Sequence, residues 1–220
     1  MTASPATPRP EPAPFTQDDF ARAVGPRATS ARLADLERFR LMVAEKNEVM
    51  NLVGPATVAH FWSRHALDSA QLLHLAPDAR VWADLGAGAG FPGVVLAILL
   101  KGEPGARVHL VDSLAKRCRF LDEVVAALDL PATVHCARAE ALNLKADVVT
   151  ARAMAPMVKL LGFALPYFRN GAQGLFLKGE NVAAELNEAR KSWSFDDELL
   201  SSLSDPRGRV VRIRRLSRAK

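Results

Sequence analysis

Cysteine occurs twice and tyrosine once in 220 residues, and aromatic residues make up only 6% of the chain. Cys118 and Cys136 are too few and too far apart for a disulfide scaffold or a C-x-x-C site. Cys136 sits in an apolar strand pattern, where a buried free thiol is expected. His60 and His65 are five positions apart, which excludes the H-x-x-x-H pair that puts two imidazoles on one helical face; no metal site is expected. His65 and Asp68 could pair along a helix and fix a structural contact. Long apolar runs are also missing. The longest, Gly93 to Leu100, is too short to cross a bilayer, and the start of the chain has no signal-peptide apolar region. A cytoplasmic protein with no membrane partner is therefore expected.

With 49% hydrophobic and 24% charged residues, the chain can bury the core of one enzyme-sized domain with an appendage. The net charge of +5 is uneven. Arg207, Arg209, Arg212, Arg214, Arg215, Arg218 and Lys220 fall within the last fourteen residues, which carry no acid, leaving the rest at about −2. Two readings stand for this basic end. It attracts a polyanion such as RNA, with salt-dependent affinity, or its arginines guard an edge strand against sheet-to-sheet pairing.

Residues 1–14 hold five prolines and little that packs, so a disordered leader is expected over 1–15. Thr16 to Asp19 has capping-box spacing before Phe20 and Val24, and Gly25-Pro26 stops that helix. A longer helix from Ser30 carries Leu33, Leu36, Phe39, Val43 and Met50. Asn51 to Pro55 then breaks it before a further helix to about Leu75. These make a helical arm over 16–78.

Over 79–220, strands centred on Val81, His109, Val134, Val148 and Phe176 alternate with helices starting near Pro92, Lys116, Pro156 and Glu180. That alternation predicts an α/β fold with a mostly parallel, doubly wound sheet. Phe195 to Leu203, the turn Asp205 to Gly208 and Arg209 to Leu216 read as a C-terminal antiparallel hairpin.

The most informative segment is Val81 to Gly93. An apolar strand delivers Asp84 into a loop containing Gly86, Gly88 and Gly90, and a helix follows. A loop without β-carbons lets the backbone approach a ligand, with N–H groups of the helix start pointing at it. Asp112 ends the next strand, at the distance expected of a carboxylate that binds a ribose. Gly88 to Gly93 also fits the nicotinamide pattern G-x-G-x-x-G. Asp84 favours S-adenosylmethionine (SAM) instead, whose ammonium suits a carboxylate that would repel a pyrophosphate.

Further short motifs follow in one order: Asn51-Leu52, Arg64 to Ser69, Asp84 to Gly93, Val111 to Ser113, Lys116-Arg117, Phe120-Leu121, Ala137 to Glu140, Ala151 to Ala153 and Leu177 to Gly179. In these the chain resembles the glucose-inhibited division protein B (RsmG) family of bacterial 16S ribosomal RNA guanine-N7 methyltransferases, over roughly Asn51 to Gly179. The resemblance implies a Rossmann-like methyltransferase fold with SAM as cofactor. It also implies a partner in 16S ribosomal RNA or the small ribosomal subunit, and a monomer is expected.

By that resemblance Gly86 and Phe91 of the loop, Ala139 and Glu140 beside the adenosine, and Arg152 near the methionine end hold the cofactor. Gly88, Asp84 and Asp112 complete the set. Glu140 as a solvated acid and Arg152 as a structural ion pair are the alternatives. Lys178 is either an RNA-phosphate contact or a snorkelling surface lysine, and Arg212 and Arg214 are RNA candidates. No general base is expected, because guanine N7 carries no proton to remove. Methylation of another RNA or of a small molecule, a nicotinamide oxidoreductase and a non-catalytic RNA-binding module remain as other readings.

Overall fold

The computed structural model describes residues 14–219, so the expected leader lies almost wholly outside the described residues. The chain begins with helices α1 (Gln17–Val24), α2 (Ser30–Met50) and α3 (Pro55–Val58), a π-helical turn at Phe61–Leu67, and α4 (Asp68–Leu75). Then come β1 (Val81–Leu85), α5 (Gly93–Leu100), β2 (Arg107–Asp112), α6 (Ala115–Leu128), β3 (Ala132–Cys136), β4 (Val148–Arg152) and α7 (Met157–Arg169). Next are β5 (Gln173–Lys178), α8 (Val182–Ala189), β6 (Trp193–Ser201) and β7 (Arg209–Arg218).

Local chemistry sets these boundaries. Thr16 Oγ1 accepts from the Asp19 N–H at 3.2 Å while the Asp19 carboxylate accepts from the Thr16 N–H at 2.8 Å, which satisfies two orphan donors of α1. Leu36, Phe39 and Val43 bury one face of α2, and Asn51 in the left-handed region ends it. The further helix expected to Leu75 is not continuous: α3, the π turn and α4 divide it. A π turn interrupts helical phase and often marks a functional site.

The seven strands order as β3-β2-β1-β4-β5-β7-β6, parallel through the first five, with β7 antiparallel to both β5 and β6. Alternate strand residues feed two layers. Val108, Leu110 and Leu175 pack with α2, α4, α5 and α6 on one face; Val111, Val149 and Phe176 pack with α7 and α8 on the other. Both faces of the parallel strands are thus covered, as their near-continuous apolar sequences require. The helices before β1 contribute Phe20, Leu36 and Phe39 to the first of these layers. Arg32 donates to the Lys101 carbonyl at 2.6 Å, and Lys101 pairs with Asp35 at 3.0 Å, joining α2 to the end of α5.

The basic C-terminal strand corrects an expectation. It is not an edge: β7 lies between β5 and β6, and the edge is β6. The arginines therefore do not protect an exposed ladder. Acids of β6 face them instead, with Glu198 on Arg212 and Asp196 on Arg215. Cys136 is exposed and not buried, because β3 ends at the opposite rim of the sheet.

Removing residues 207–220 takes out β7 and leaves β5 and β6 without their shared neighbour. Such a chain is expected to lose its cooperative thermal transition and near-ultraviolet dichroism. A sharp transition in the truncated protein would mean that β7 is an accessory strand.

Candidate functional site

The sheet reverses its winding between β1 and β4, and the carboxyl ends of these strands open on the crevice where doubly wound folds bind ligands. Two clefts lie there. One, of about 340 Å³, is bordered by Gly86, Asp112, Leu114, Ala139, Glu140 and Met154. The other, of about 760 Å³, is bordered by Arg64, Asp68, Arg152, Lys178, Asp205 and Arg207. Both include Ala153 and Met154, so this dipeptide after β4 is their common wall. Ala153 has φ of +51°, an unusual backbone for a non-glycine residue and one that concentrates at functional turns.

Two carboxylates hold the glycine loop from beneath. Asp112 accepts from the Gly88 N–H and the Leu114 N–H, each at 2.9 Å. Asp84 accepts from the Gly93 N–H at 2.8 Å, at the first residue of α5. Asp84 is wholly buried, and its Oδ1 has no partner among the described residues. Burial pushes its carboxyl up to about 7, against the opposing Gly93 N–H and Arg152. Gly86 has φ of +68°, and a β-carbon there would lie 2.8 Å from Met154 Cγ, so the close approach requires glycine.

Arg152 gathers groups distant in sequence. Its guanidinium donates to the Arg64 carbonyl at 3.0 Å, to His65 Nδ1 at 2.9 Å and to Asp68 at 3.5 Å, and lies 4.9 Å from the centre of the Phe91 ring. Since a guanidinium only donates, His65 Nδ1 accepts, and the imidazole proton sits on Nε2, 3.1 Å from Thr57 Oγ1. Burial, with Arg152 and Arg64 nearby, lowers His65 to about 3, so the ring is neutral. Its flat face stacks on Phe91 at 4.4 Å. The single tyrosine, Tyr167, is buried in the core and donates to the carbonyl of Ala139, at the border of the smaller cleft, at 3.1 Å, which fixes that turn.

The sequence profile described as rRNA small subunit methyltransferase G matches residues 32–209. The chain belongs to this family. A ribosomal RNA small subunit methyltransferase G from Caulobacter vibrioides is 67% identical over 91% of this chain and 92% of its own length. One from Caulobacter sp. strain K31 is 62% identical over 90% and 88%, and one from Bradyrhizobium sp. strain BTAi1 is 47% identical over 81% and 82%. Among solved structures, a mutant of MtNAS aligns with a TM-score of 0.58 at 15% identity, over 83% of this chain and 71% of that one. A putative O-methyltransferase from Klebsiella pneumoniae aligns at 0.55 and 12% identity, over 82% and 90%. These two likenesses establish a shared fold.

Within this member of the methyltransferase G family, Gly86, Asp112, Ala139 and Glu140 come together around the smaller cleft, although they come from three separate segments. Gly88 does not border it and is tied to it through the Asp112 carboxylate. Glu140 pairs with the exposed Arg138 at 2.9 Å, whose hydrogen bond holds its carboxyl below the usual range. Arg152 faces the larger cleft, and its fork is taken up by protein acceptors.

Several placements differ from the expectations. Asp84, expected beside a ligand ammonium, borders neither cleft; it anchors the loop. The Phe91 ring is almost fully buried among Phe39, Phe61 and His65. Lys178 is neither a snorkelling surface lysine nor a free cation. It donates to the Ala155 carbonyl at 2.8 Å and to Glu185 at 2.7 Å with its side chain nearly buried. Arg212 binds Glu198 and donates to the Leu75 carbonyl at 3.0 Å, which ties α4 to the sheet and leaves it ill-placed for phosphate. Arg214 is exposed on β7, beside Asp196 in register. His65 and Asp68 meet through Arg152 rather than directly. Met154 and Leu114 escaped the sequence reading, and Asp205 and Arg207 entered it only as parts of the hairpin turn and the basic end, because no local pattern relates them to the glycine loop.

Two expectations follow. A β-carbon at residue 93 would fall 2.3 Å from Leu110 Cδ2 and 2.7 Å from Asp84 Oδ2, so Gly93→Ala should cost about 1–3 kcal/mol by overpacking. Chemical denaturation measures this, and an unchanged midpoint would contradict the packing. For His65, the folded state binds the proton less tightly than the unfolded chain, so stability present above about pH 6.5 is lost as pH falls toward about 3. Its share between about pH 7 and pH 5 is about 2 kcal/mol. His65→Asn should flatten the pH dependence of unfolding in that window by this amount, whereas equal slopes would mean a charged ring.

Proposed function

We propose that this chain transfers a methyl group from S-adenosylmethionine to N7 of a guanine in 16S ribosomal RNA. The observation that carries the reading is the pair of clefts meeting at Ala153 and Met154, in a chain whose relatives are named as ribosomal RNA small subunit methyltransferases. The smaller cleft suits the cofactor. Its floor is glycine backbone that a β-carbon would obstruct, and Asp112 and Glu140 stand at its border. Gly86, Gly88, Asp112, Ala139 and Glu140 would hold the nucleoside end, with Phe91 and Arg152 supporting the wall toward the larger cleft. Bound there, SAM supplies an electrophilic methyl group on a sulfonium.

The protein's task is then alignment. Guanine N7 offers an in-plane lone pair and no proton, so no side chain has to act as base. Holding acceptor and donor in line and excluding water contributes roughly 7–11 kcal/mol in well-oriented systems. Arg152 acts here as a positioning residue: it locks His65, Asp68 and the Arg64 carbonyl into one wall, and that wall keeps Phe91 in place. The lowered proton affinity of His65 keeps this wall uncharged on the imidazole side across neutral pH. Among the described residues no helix is long and apolar enough to cross a membrane. The reading carries with it a cytoplasmic monomer acting on ribosomal RNA or the small subunit without a metal.

The test incubates the protein with methyl-labelled SAM and 16S RNA, free and within small subunits, and identifies the labelled nucleoside after digestion. Label in 7-methylguanosine is expected, together with thermal stabilisation by SAM and none by NAD. Gly86→Val should remove both label and stabilisation, since it strains a positive φ and collides with Met154. SAM binding without transfer to either RNA would redirect the reading to another acceptor, and stabilisation by NAD alone would overturn it.

A further inference from the structure

The tip of the β6–β7 hairpin is fastened to the helical arm. Ser204 Oγ donates to Asp68 at 2.7 Å, and the Leu203 N–H donates to Gln71 Oε1 at 2.9 Å. Within the tip, Asp205 accepts from the Arg207 N–H at 2.9 Å, and its carbonyl accepts from the Gly208 N–H at 2.9 Å. This turn places the Asp205 carboxylate between two guanidinium groups, Arg64 of the π turn at 3.4 Å and Arg207 at 3.7 Å. All three residues border the larger cleft.

These two arginines differ from the other cations around them. Arg152 and Lys178, in the same cleft, are satisfied by protein acceptors at close range. Most of the basic strand beyond is committed as well; the Arg214 side chain, exposed on β7, has no hydrogen bond or ion pair among the described residues but does not border this cleft. Arg209 donates to the carbonyls of Pro206 and Gly208, Arg212 and Arg215 pair with acids of β6, and Arg218 lies over Trp193. Arg64 and Arg207 instead share a single carboxylate, at separations beyond the roughly 2.7–2.9 Å of a charge-assisted bond. Their side chains remain 49% and 70% exposed, against 14% for Arg212, so they keep free N–H groups and a surplus positive charge. The backbone of Arg64 is fixed by the Arg152 bond to its carbonyl, which holds the base of this side chain at the rim.

We infer that Arg64 and Arg207 form a two-armed seat for an RNA phosphate at the mouth of the larger cleft, with Asp205 holding both guanidinium groups in readiness. The seat rests on the RNA-methyltransferase reading given above and assigns that cleft to the nucleotide carrying the acceptor guanine. A planar guanidinium can bind phosphate oxygens bidentately, and two such forks outweigh the one carboxylate between them. The phosphate fixes the strand, and the base can then enter toward Ala153 and Met154, the wall shared with the cofactor cleft. Backbone contacts of this kind position a substrate without reading its sequence.

Arg64→Ala, Arg207→Ala and the double variant are compared with wild type and with Arg22→Ala, which removes one exposed charge from α1. Each of the first two should raise the RNA KM about tenfold, equivalent to about 1.4 kcal/mol. Each should also lessen the slope of log affinity against log salt by about 0.7–0.9. SAM affinity, measured by calorimetry, should not change, and Arg22→Ala should behave as wild type. Arg64→Lys and Arg207→Lys keep the charge and should restore the salt slope while recovering KM only in part. Should the double variant fail to fold, Arg207→Glu at the more exposed position carries the test, with a larger rise in KM expected. Wild-type KM and salt slope in folded Arg207→Glu and Arg64→Ala would overturn the seat. Absence of methyl transfer to RNA by the wild type would instead overturn the proposed function, so the two failures are distinguishable.

Discussion

The architecture of the site depends on two aspartates at the ends of neighbouring parallel strands. Asp84 and Asp112 each take an N–H from the loop that follows β1, one at its helical end and one in its middle. Because β1 and β2 pair in parallel register, the two anchors are set by the sheet itself, and the loop inherits that rigidity. Asp84 does this at a cost, since a carboxylate with one unpartnered oxygen is buried. The Gly93 N–H and the start of α5 offset part of it. The folded state holds this proton more tightly than the unfolded chain, so the contribution is full below about pH 4 and is lost as pH rises toward about 7.

What was legible in the sequence was chiefly local. The five parallel strands, the capping box at Thr16, the helix from Ser30 and the terminal hairpin all announce themselves through periodicity and turn chemistry, and they appear close to where that chemistry puts them. Gly86 and Asp112 were legible from the glycine loop and its spacing, and Ala139 and Glu140 through the family resemblance; they gather because strand ends of a parallel sheet converge. Partnerships across long sequence separations were not. Nothing near Arg152 says that its fork will be filled by residues of the π turn and the start of α4, 84 to 88 positions earlier. The position of β7 inside the sheet was hidden in the same way, because alternating arginines look alike on an edge strand and on an interior strand opposite acids.

That second misreading bears on how charge is used. A net charge of +5 with a basic terminus suggests a long electropositive strip. In the folded protein much of that strip is neutralised across the hairpin by Asp196 and Glu198, so the strand's charges serve its own pairing. At the hairpin tip and the π turn, two elements that meet only in the fold, Arg207 and Arg64 share one carboxylate and keep much of their surface exposed. Counting arginines alone overstates the strand's free charge, because the fold pairs most of them within the hairpin.

The insertion of β7 between β5 and β6 also governs the order in which the molecule can be completed. Synthesis runs from the first residue to the last, so β6 leaves the ribosome with no strand to pair with and β5 waits with an open ladder. Only when the ten-residue β7 emerges can the sheet close on both sides at once. A chain that stops before β7 therefore displays two unsatisfied strand borders, which a chain carrying β7 covers in a single step.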